Sequence, residues 1–206
     1  MALSLAERPA VLAELRSRIV APRVAPSRLQ AGLPALEAWF GGWPRPGVSE
    51  IVGAPGSGRL ALLLPSLASL TRHGRPVVVI DAMEQVYPPG WACPFGEGEG
   101  VDLAQLWVVR PGLDRAAWAA EQVARSGSVE AVVLLDAPRL GRSAVRLARA
   151  AEGGGCALFV VAEVVEAELP AALRLSVLGY APGGIQVRCS RARDGRAVGE
   201  RLVAVA

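Results

Sequence analysis

GAPGSGRL, residues Gly53 to Leu60, follows a β-branched run, Val48 to Val52, and leads into a leucine-rich stretch of helical composition, Leu60 to Arg72. Strand, glycine loop and helix in this order make the frame of a phosphate-binding P-loop, in which successive backbone N–H groups converge on an anion at the helix N-terminus. Gly53, Gly56 and Gly58 have the spacing, and Ser57 lies between the last two. Two positions break the pattern. Arg59 stands where a lysine would grip the β and γ phosphates, and Leu60 stands where a Ser or Thr hydroxyl would hold Mg²⁺. A guanidinium is a broad planar fork and no substitute for a compact ammonium, and leucine has no metal-ligating atom. The residues therefore read as a vestigial nucleotide or anion loop: Gly53, Gly56, Ser57, Gly58 and Arg59, together with Asp136. That aspartate ends the hydrophobic run AVVLLD, the place where P-loop proteins carry the acid that positions magnesium. No catalytic residue, metal ligand or cofactor is expected.

Outward from the loop, short β-branched runs alternate with helical segments, the signature of parallel βαβ units covered on both faces. The expected strands are Val48 to Val52, Val77 to Asp81, Leu106 to Val109, Ala131 to Asp136 and Ala157 to Val161. The expected helices are Leu60 to Arg72, Arg115 to Ser126 and Ser143 to Ala151. At the end, IQVRCSR, a turn through Asp194 and Gly195, and RLVAVA form an antiparallel hairpin attached to the sheet. Near the start, Val11, Leu12, Leu15 and Ile19 recur at helical spacing, so Arg8 to Val20 should be an amphipathic helix. Pro22 and Pro26 follow in a stretch without periodicity. The chain is thus expected to divide into an N-terminal helix and linker, residues 1–27, and an α/β core, residues 28–206.

A chain of 206 residues, 52% hydrophobic and 20% charged, has the material for one well-cored domain. No apolar run reaches the roughly 18 residues of a spanning helix, and Glu7, Arg8, Glu14 and Arg16 interrupt any secretory signal, so a cytoplasmic protein without a membrane role is expected. Cys93, Cys156 and Cys189 are odd in number and widely spaced, which fits a reducing compartment and gives no zinc motif. All 22 basic residues are arginine, so Schiff-base lysine chemistry is excluded. His73, the single histidine, precedes Gly74 and reads as a helix cap rather than a catalyst. Residues 174 to 206 hold six arginines against two acids, an excess absent from the rest of the chain. Arg188, Arg191, Arg193 and Arg196 are therefore candidate contacts to single-stranded DNA, although a charged edge strand guarding itself against pairing would look the same. Of five tryptophans, Trp91 lies in the loop YPPGWACPFGEGEG and is expected to be the exposed one, available to a partner.

Several motifs in order carry a resemblance. AGLPALEAWFGGWP precedes the loop strand, GVSEIVGAPGSGRL holds it, VIDAMEQVYPP follows, and RAAWAAEQVARSGSVEAVVLLDA includes an ARSG turn before the aspartate strand. From about Leu29 to the C-terminus the chain resembles the RecA family, and within it the ImuA accessory proteins. The resemblance implies a RecA-like P-loop core with a C-terminal hairpin and an N-terminal helix. Active members of the family carry a catalytic glutamate just after IDA, where this chain has Met83, with Glu84 one residue on. What it implies about function is a non-catalytic accessory protein in damage-induced mutagenic DNA synthesis, with an ImuB-like polymerase subunit and RecA as partners. Head-to-tail self-association through Val11, Leu12, Leu15 and Ile19 is also implied. The rival readings are a weak DNA-dependent ATPase using Arg59 and Glu84, and a cell-division inhibitor resembling SulA.

Overall fold

A computed structural model describes residues 27–93, 99–193 and 197–205. The elements in chain order are β1 (Ser27–Leu29), α1 (Pro34–Phe40), β2 (Trp43–Arg45), β3 (Gly47–Val52), α2 (Leu64–Arg72), β4 (Val77–Asp81), the single turn α3 (Pro88–Trp91), β5 (Leu106–Val109), α4 (Ala116–Arg125), β6 (Ala131–Leu135), α5 (Ser143–Gly154), β7 (Ala157–Ala162), β8 (Leu173–Ala181), β9 (Gly184–Ala192) and β10 (Gly199–Val203). Strands β3 to β10 form one sheet in the order β10-β9-β8-β3-β7-β6-β4-β5, while β1 and β2 pair as a separate ribbon. Every pairing from β8 through to β5 is parallel, and β9 and β10 extend the sheet antiparallel. The α/β architecture, mainly parallel with a C-terminal antiparallel hairpin, is as the sequence indicates.

All residues of β3, β4, β6 and β7 are buried, which is why they read as continuous apolar runs rather than alternating ones. Period-two alternation still sorts their side chains between two layers. Ile51, Val79, Val133 and Phe159 face α1 and α2, with Leu36, Leu63 and Leu67. Val48, Val78, Val132 and Leu158 face α4 and α5 through alanines such as Ala120, Ala124, Ala144 and Ala151. Small residues let these two helices close on each other: a Cβ at Gly154 would lie 1.8 Å from the carbonyl oxygen of Ala124. On the opposite layer Trp43 packs edge-on against Phe159 at 5.3 Å, and its indole N–H donates to Ser66 Oγ at 2.8 Å, which itself donates to the carbonyl of Ala31. That buried chain of hydrogen bonds fastens the β1–β2 ribbon to the core.

Three expectations are corrected. Helix α2 starts at Leu64, not Leu60, because Pro65 sits in its first turn and the preceding residues form turns, with Leu63 and Leu64 both donating to the carbonyl of Leu60. Trp91 is buried at 7% exposure, since the PPGW turn carries its ring into the core layer that also holds α2. Trp107 (64%) and Trp118 (57%) are the exposed tryptophans. Leu173–Ala181, not anticipated as a strand, is β8, so the C-terminal unit has three strands joined to β3. The amphipathic N-terminal stretch, with Val11, Leu12, Leu15 and Ile19, lies outside the described residues, as do Asp194 and Gly195.

The join between β3 and β8 contains a charged pair. Glu50, fully buried, accepts from the Nε of Arg174 and from the backbone N–H of Glu166 at 2.6 Å, and Arg174 Nη2 also donates to the Glu166 carbonyl at 3.0 Å. Removing one partner leaves the other desolvated, so Glu50→Gln should cost about 3–5 kcal/mol in a denaturant titration. A loss no larger than that of a surface substitution would show the pair to be idle. Burial pushes the Cys156 thiol up to about 12, whereas Cys93 is exposed. At pH 8 a thiol reagent should therefore label Cys93 in the native protein and reach Cys156 only after unfolding. Equal native labelling of both would contradict the packing around Ala124 and Cys156.

Candidate nucleotide loop

The glycine loop leaves β3 with Gly53 donating to the Ala162 carbonyl at 3.1 Å, and Asp136 leaves β6 with its N–H donating to the Val161 carbonyl at 2.8 Å. Both are anchored on the end of β7, the strand between β3 and β6. Over that end Arg59 reaches Asp136 with both arms: Nη1 to Oδ1 at 2.7 Å and Nη2 to Oδ2 at 3.0 Å. The side chains are 7% and 8% exposed. A bidentate charge-assisted pair of this kind matches the guanidinium fork to the carboxylate plane. Asp136 adopts φ +42, a left-handed conformation that aspartate tolerates better than most residues, and this conformation accompanies the pairing. The arginine in the lysine position and the acid in the magnesium position therefore satisfy each other.

The rest of the loop is packed by the C-terminal strands. Gly58 has φ +100, and a Cβ there would lie 2.4 Å from Ile185 Cδ1 and 3.4 Å from Tyr180 Cζ, so the β8–β9 hairpin presses on the loop at this point. A Cβ at Gly53 would lie 2.7 Å from the Val177 carbonyl oxygen. Gly56, φ +76, faces open space. Ser57 Oγ is buried without a hydrogen-bond partner among the described residues. Leu60 is partly buried and packs against the core layer that holds α2, so its side chain is committed to packing. At the end of β4, the buried carboxylate of Asp81 accepts from the N–H groups of Gln85 and Val86, both at 2.9 Å, closing a turn in which Met83 is half exposed and Glu84 has φ +57. Among the described residues no three His, Cys, Asp or Glu side chains are grouped to hold a metal ion.

The other sequence candidates lie elsewhere. On β9, Arg188 pairs with Glu200, its Nε donating to Oε1 at 2.6 Å, and Arg193 lies 3.5 Å from Glu152. Arg191 is exposed, and Arg196 is outside the described residues. Strand register sets Arg188 opposite Ser176 and Arg191 opposite Arg174, on one face of the sheet. His73 caps α2, with Nδ1 2.7 Å from the Ser69 carbonyl oxygen and Gly74 at φ +70. The pairing of Arg59 with Asp136 was not foreseen, although a signal was present: the two residues occupy positions that converge on one Mg-phosphate group in active P-loops.

The chain is similar to RecA proteins. It is 33% identical over 96 residues to the RecA of Borreliella burgdorferi, 32% over 96 residues to that of Treponema denticola and 35% over 96 residues to that of Acholeplasma laidlawii. Each match covers 46% of this chain and 25%, 22% and 28% of those proteins, so the chain spans about a quarter of the length of the curated relatives it matches. No family model matches.

Neutralising one partner of the loop pair should be costly and neutralising both should be less so. Asp136→Asn, which keeps the tolerance for positive φ, should destabilise by about 3–5 kcal/mol by leaving the guanidinium buried and unpaired. Adding Arg59→Leu should restore more than half of that in a denaturant titration. Additive losses from the two substitutions would show that the side chains do not interact in solution.

Proposed function

We propose that this RecA-like chain is a non-catalytic accessory protein in damage-induced mutagenic DNA synthesis, working in the cytoplasm through contacts with an ImuB-like polymerase subunit and with RecA. One observation carries the non-catalytic part: Arg59 and Asp136 are spent on each other inside the loop. A magnesium nucleotide entering there would have to break a buried bidentate pair, and Leu60 would offer the metal no oxygen in return. The vestigial loop then serves as architecture, holding β3, β6 and the β8–β9 hairpin together. Met83, half exposed where the family's catalytic glutamate is expected, supports the same reading. The motif order from AGLPALEAWFGGWP to AVVLLDA supports the accessory branch of the family. No helix among the described residues is long and apolar enough to cross a membrane.

Self-association through Val11, Leu12, Leu15 and Ile19, and a weak hold on single-stranded DNA through Arg188, Arg191, Arg193 and Arg196, belong to the proposal as secondary contacts. Of the three arginines described, two are already ion-paired, so any DNA contact there should be weak and sensitive to salt.

Titration of the whole protein with MgATP in a calorimeter, with and without single-stranded DNA, should give no binding heat, and the same samples should release no phosphate. Binding with turnover that Glu84→Gln abolishes would overturn this reading in favour of a weak DNA-dependent ATPase.

A further inference from the structure

The outer face of the α4–α5 layer carries a charge pattern that the loop and the hairpin do not explain. Arg142, at the N-cap of α5, and Arg146 and Arg149 within it follow at intervals of four and three residues and so project from one side of the helix, while Arg139 stands in the loop before it. All four are exposed. Arg146 is engaged, donating to Ser143 Oγ at 3.0 Å and lying 3.3 Å from Glu121. Arg139, Arg142 and Arg149 make no hydrogen bond or ion pair with any described residue. On the neighbouring helix Trp118, Glu121 and Arg125 share a face by the same spacing, and Trp118 is 57% exposed. Val145, 42% exposed, lies between the α5 arginines.

Glu121 shows what this surface does with a carboxylate. It is 5% exposed, sits at the seam of the two helices, and is held by Arg125 of its own helix and Arg146 of the other. The seam therefore already grips one carboxylate from two sides, and the free arginines continue the same row beyond it. A row of planar forks beside an exposed tryptophan and valine has the composition of a protein-binding hot spot, where Trp and Arg predominate. A single nucleic-acid strand asks instead for a groove with several stacking platforms, and these two helices carry one aromatic ring, Trp118.

We propose that the outer face of α4 and α5 is a docking surface for an acidic, apolar-anchored segment of a partner protein, its carboxylates meeting Arg142 and Arg149 and its apolar side chain meeting Trp118. This rests on the reading that the chain works through protein contacts, and it names one surface and the chemistry of what binds there.

The probe is a synthetic helical peptide of about 12 residues, the length of α5 at about 1.5 Å per residue, bearing Glu at successive outward positions and one Leu stripe. A Gln-for-Glu version and an oligothymidylate serve as controls. Fluorescence titration of the whole protein should show binding of the Glu peptide that weakens with salt, and little binding of the Gln peptide. R142E together with R149E should lower the affinity at least tenfold, and Trp118→Ala several-fold, with an unchanged melting curve because all three side chains are exposed. Failure of the Glu peptide to bind, or equal binding by the double variant, would overturn the proposal. Oligothymidylate binding that the double variant loses, without peptide binding, would overturn it in favour of a nucleic-acid surface. Phosphate release from MgATP, measured in the same samples, would overturn the non-catalytic reading while leaving this surface standing.

Discussion

Arg59 lies in the loop after β3 and Asp136 directly follows β6, two strands that do not touch, and their pairing passes over the end of β7, which separates them. Parallel strands end in unpaired backbone groups and in loops that must be held by something. Here the backbone bonds to Val161 and Ala162 fix the two loop stems, and the guanidinium fork fixes the loops to each other. In a nucleotide-binding relative of this architecture, phosphate and metal bring charge to that point from outside. This chain supplies both signs of charge there itself, through Arg59 and Asp136. The glycine loop, the left-handed turn at Asp136 and the β8–β9 hairpin pressing on Gly58 all meet at that point.

The two layers over the sheet contribute differently. On one side aromatic side chains, Phe40, Trp43 and Phe159, interlock and fasten the β1–β2 ribbon through Ser66. On the other, alanines bring α4 and α5 so close that the backbone at Gly154 nearly touches that at Ala124. Close packing of thin helices leaves their long side chains pointing outward, and in this chain those are arginines. The bulky layer thus builds the body of the domain and the thin layer displays its charge. Beyond β3, the buried Glu50–Arg174 pair joins the parallel sheet to the antiparallel unit, so both ends of the loop's surroundings are tied by ionic contacts.

The fully buried strands were legible because a run such as Ala131 to Leu135 has one interpretation when bounded by turn residues. β8 was not: buried Leu173, Leu175 and Val177 alternate with half-buried Arg174 and Ser176 over only five residues before Gly179, and the reason for Arg174, a carboxylate 124 residues earlier, lies outside any local pattern. Trp91 misled in the opposite sense: proline, glycine and acidic neighbours mark a surface loop, yet a single helical turn through Pro88 and Pro89 was enough to swing one large ring inward. At the candidate site the residue types of the loop could be read directly, and so could their departure from the P-loop pattern. The contact between Arg59 and Asp136 could not, since which partner a charged side chain chooses is decided by tertiary geometry. The arginine row at α5 is written in the sequence at helical spacing, but only the structure shows that Arg142 and Arg149 have no partner among the described residues whereas Arg188 of β9 is paired with Glu200.

Gly58 carries a broader consequence. A glycine in such a loop is usually explained by the close approach of phosphate, but here the space a side chain would occupy is filled by Ile185 from a neighbouring hairpin. Substitution would be penalised by packing and by positive φ whether or not a nucleotide ever enters. A lineage that abandons phosphate chemistry can therefore keep the glycines while its lysine and hydroxyl drift away. The spacing of glycines then records the ancestry of a backbone, and the polar residues among them record its present use.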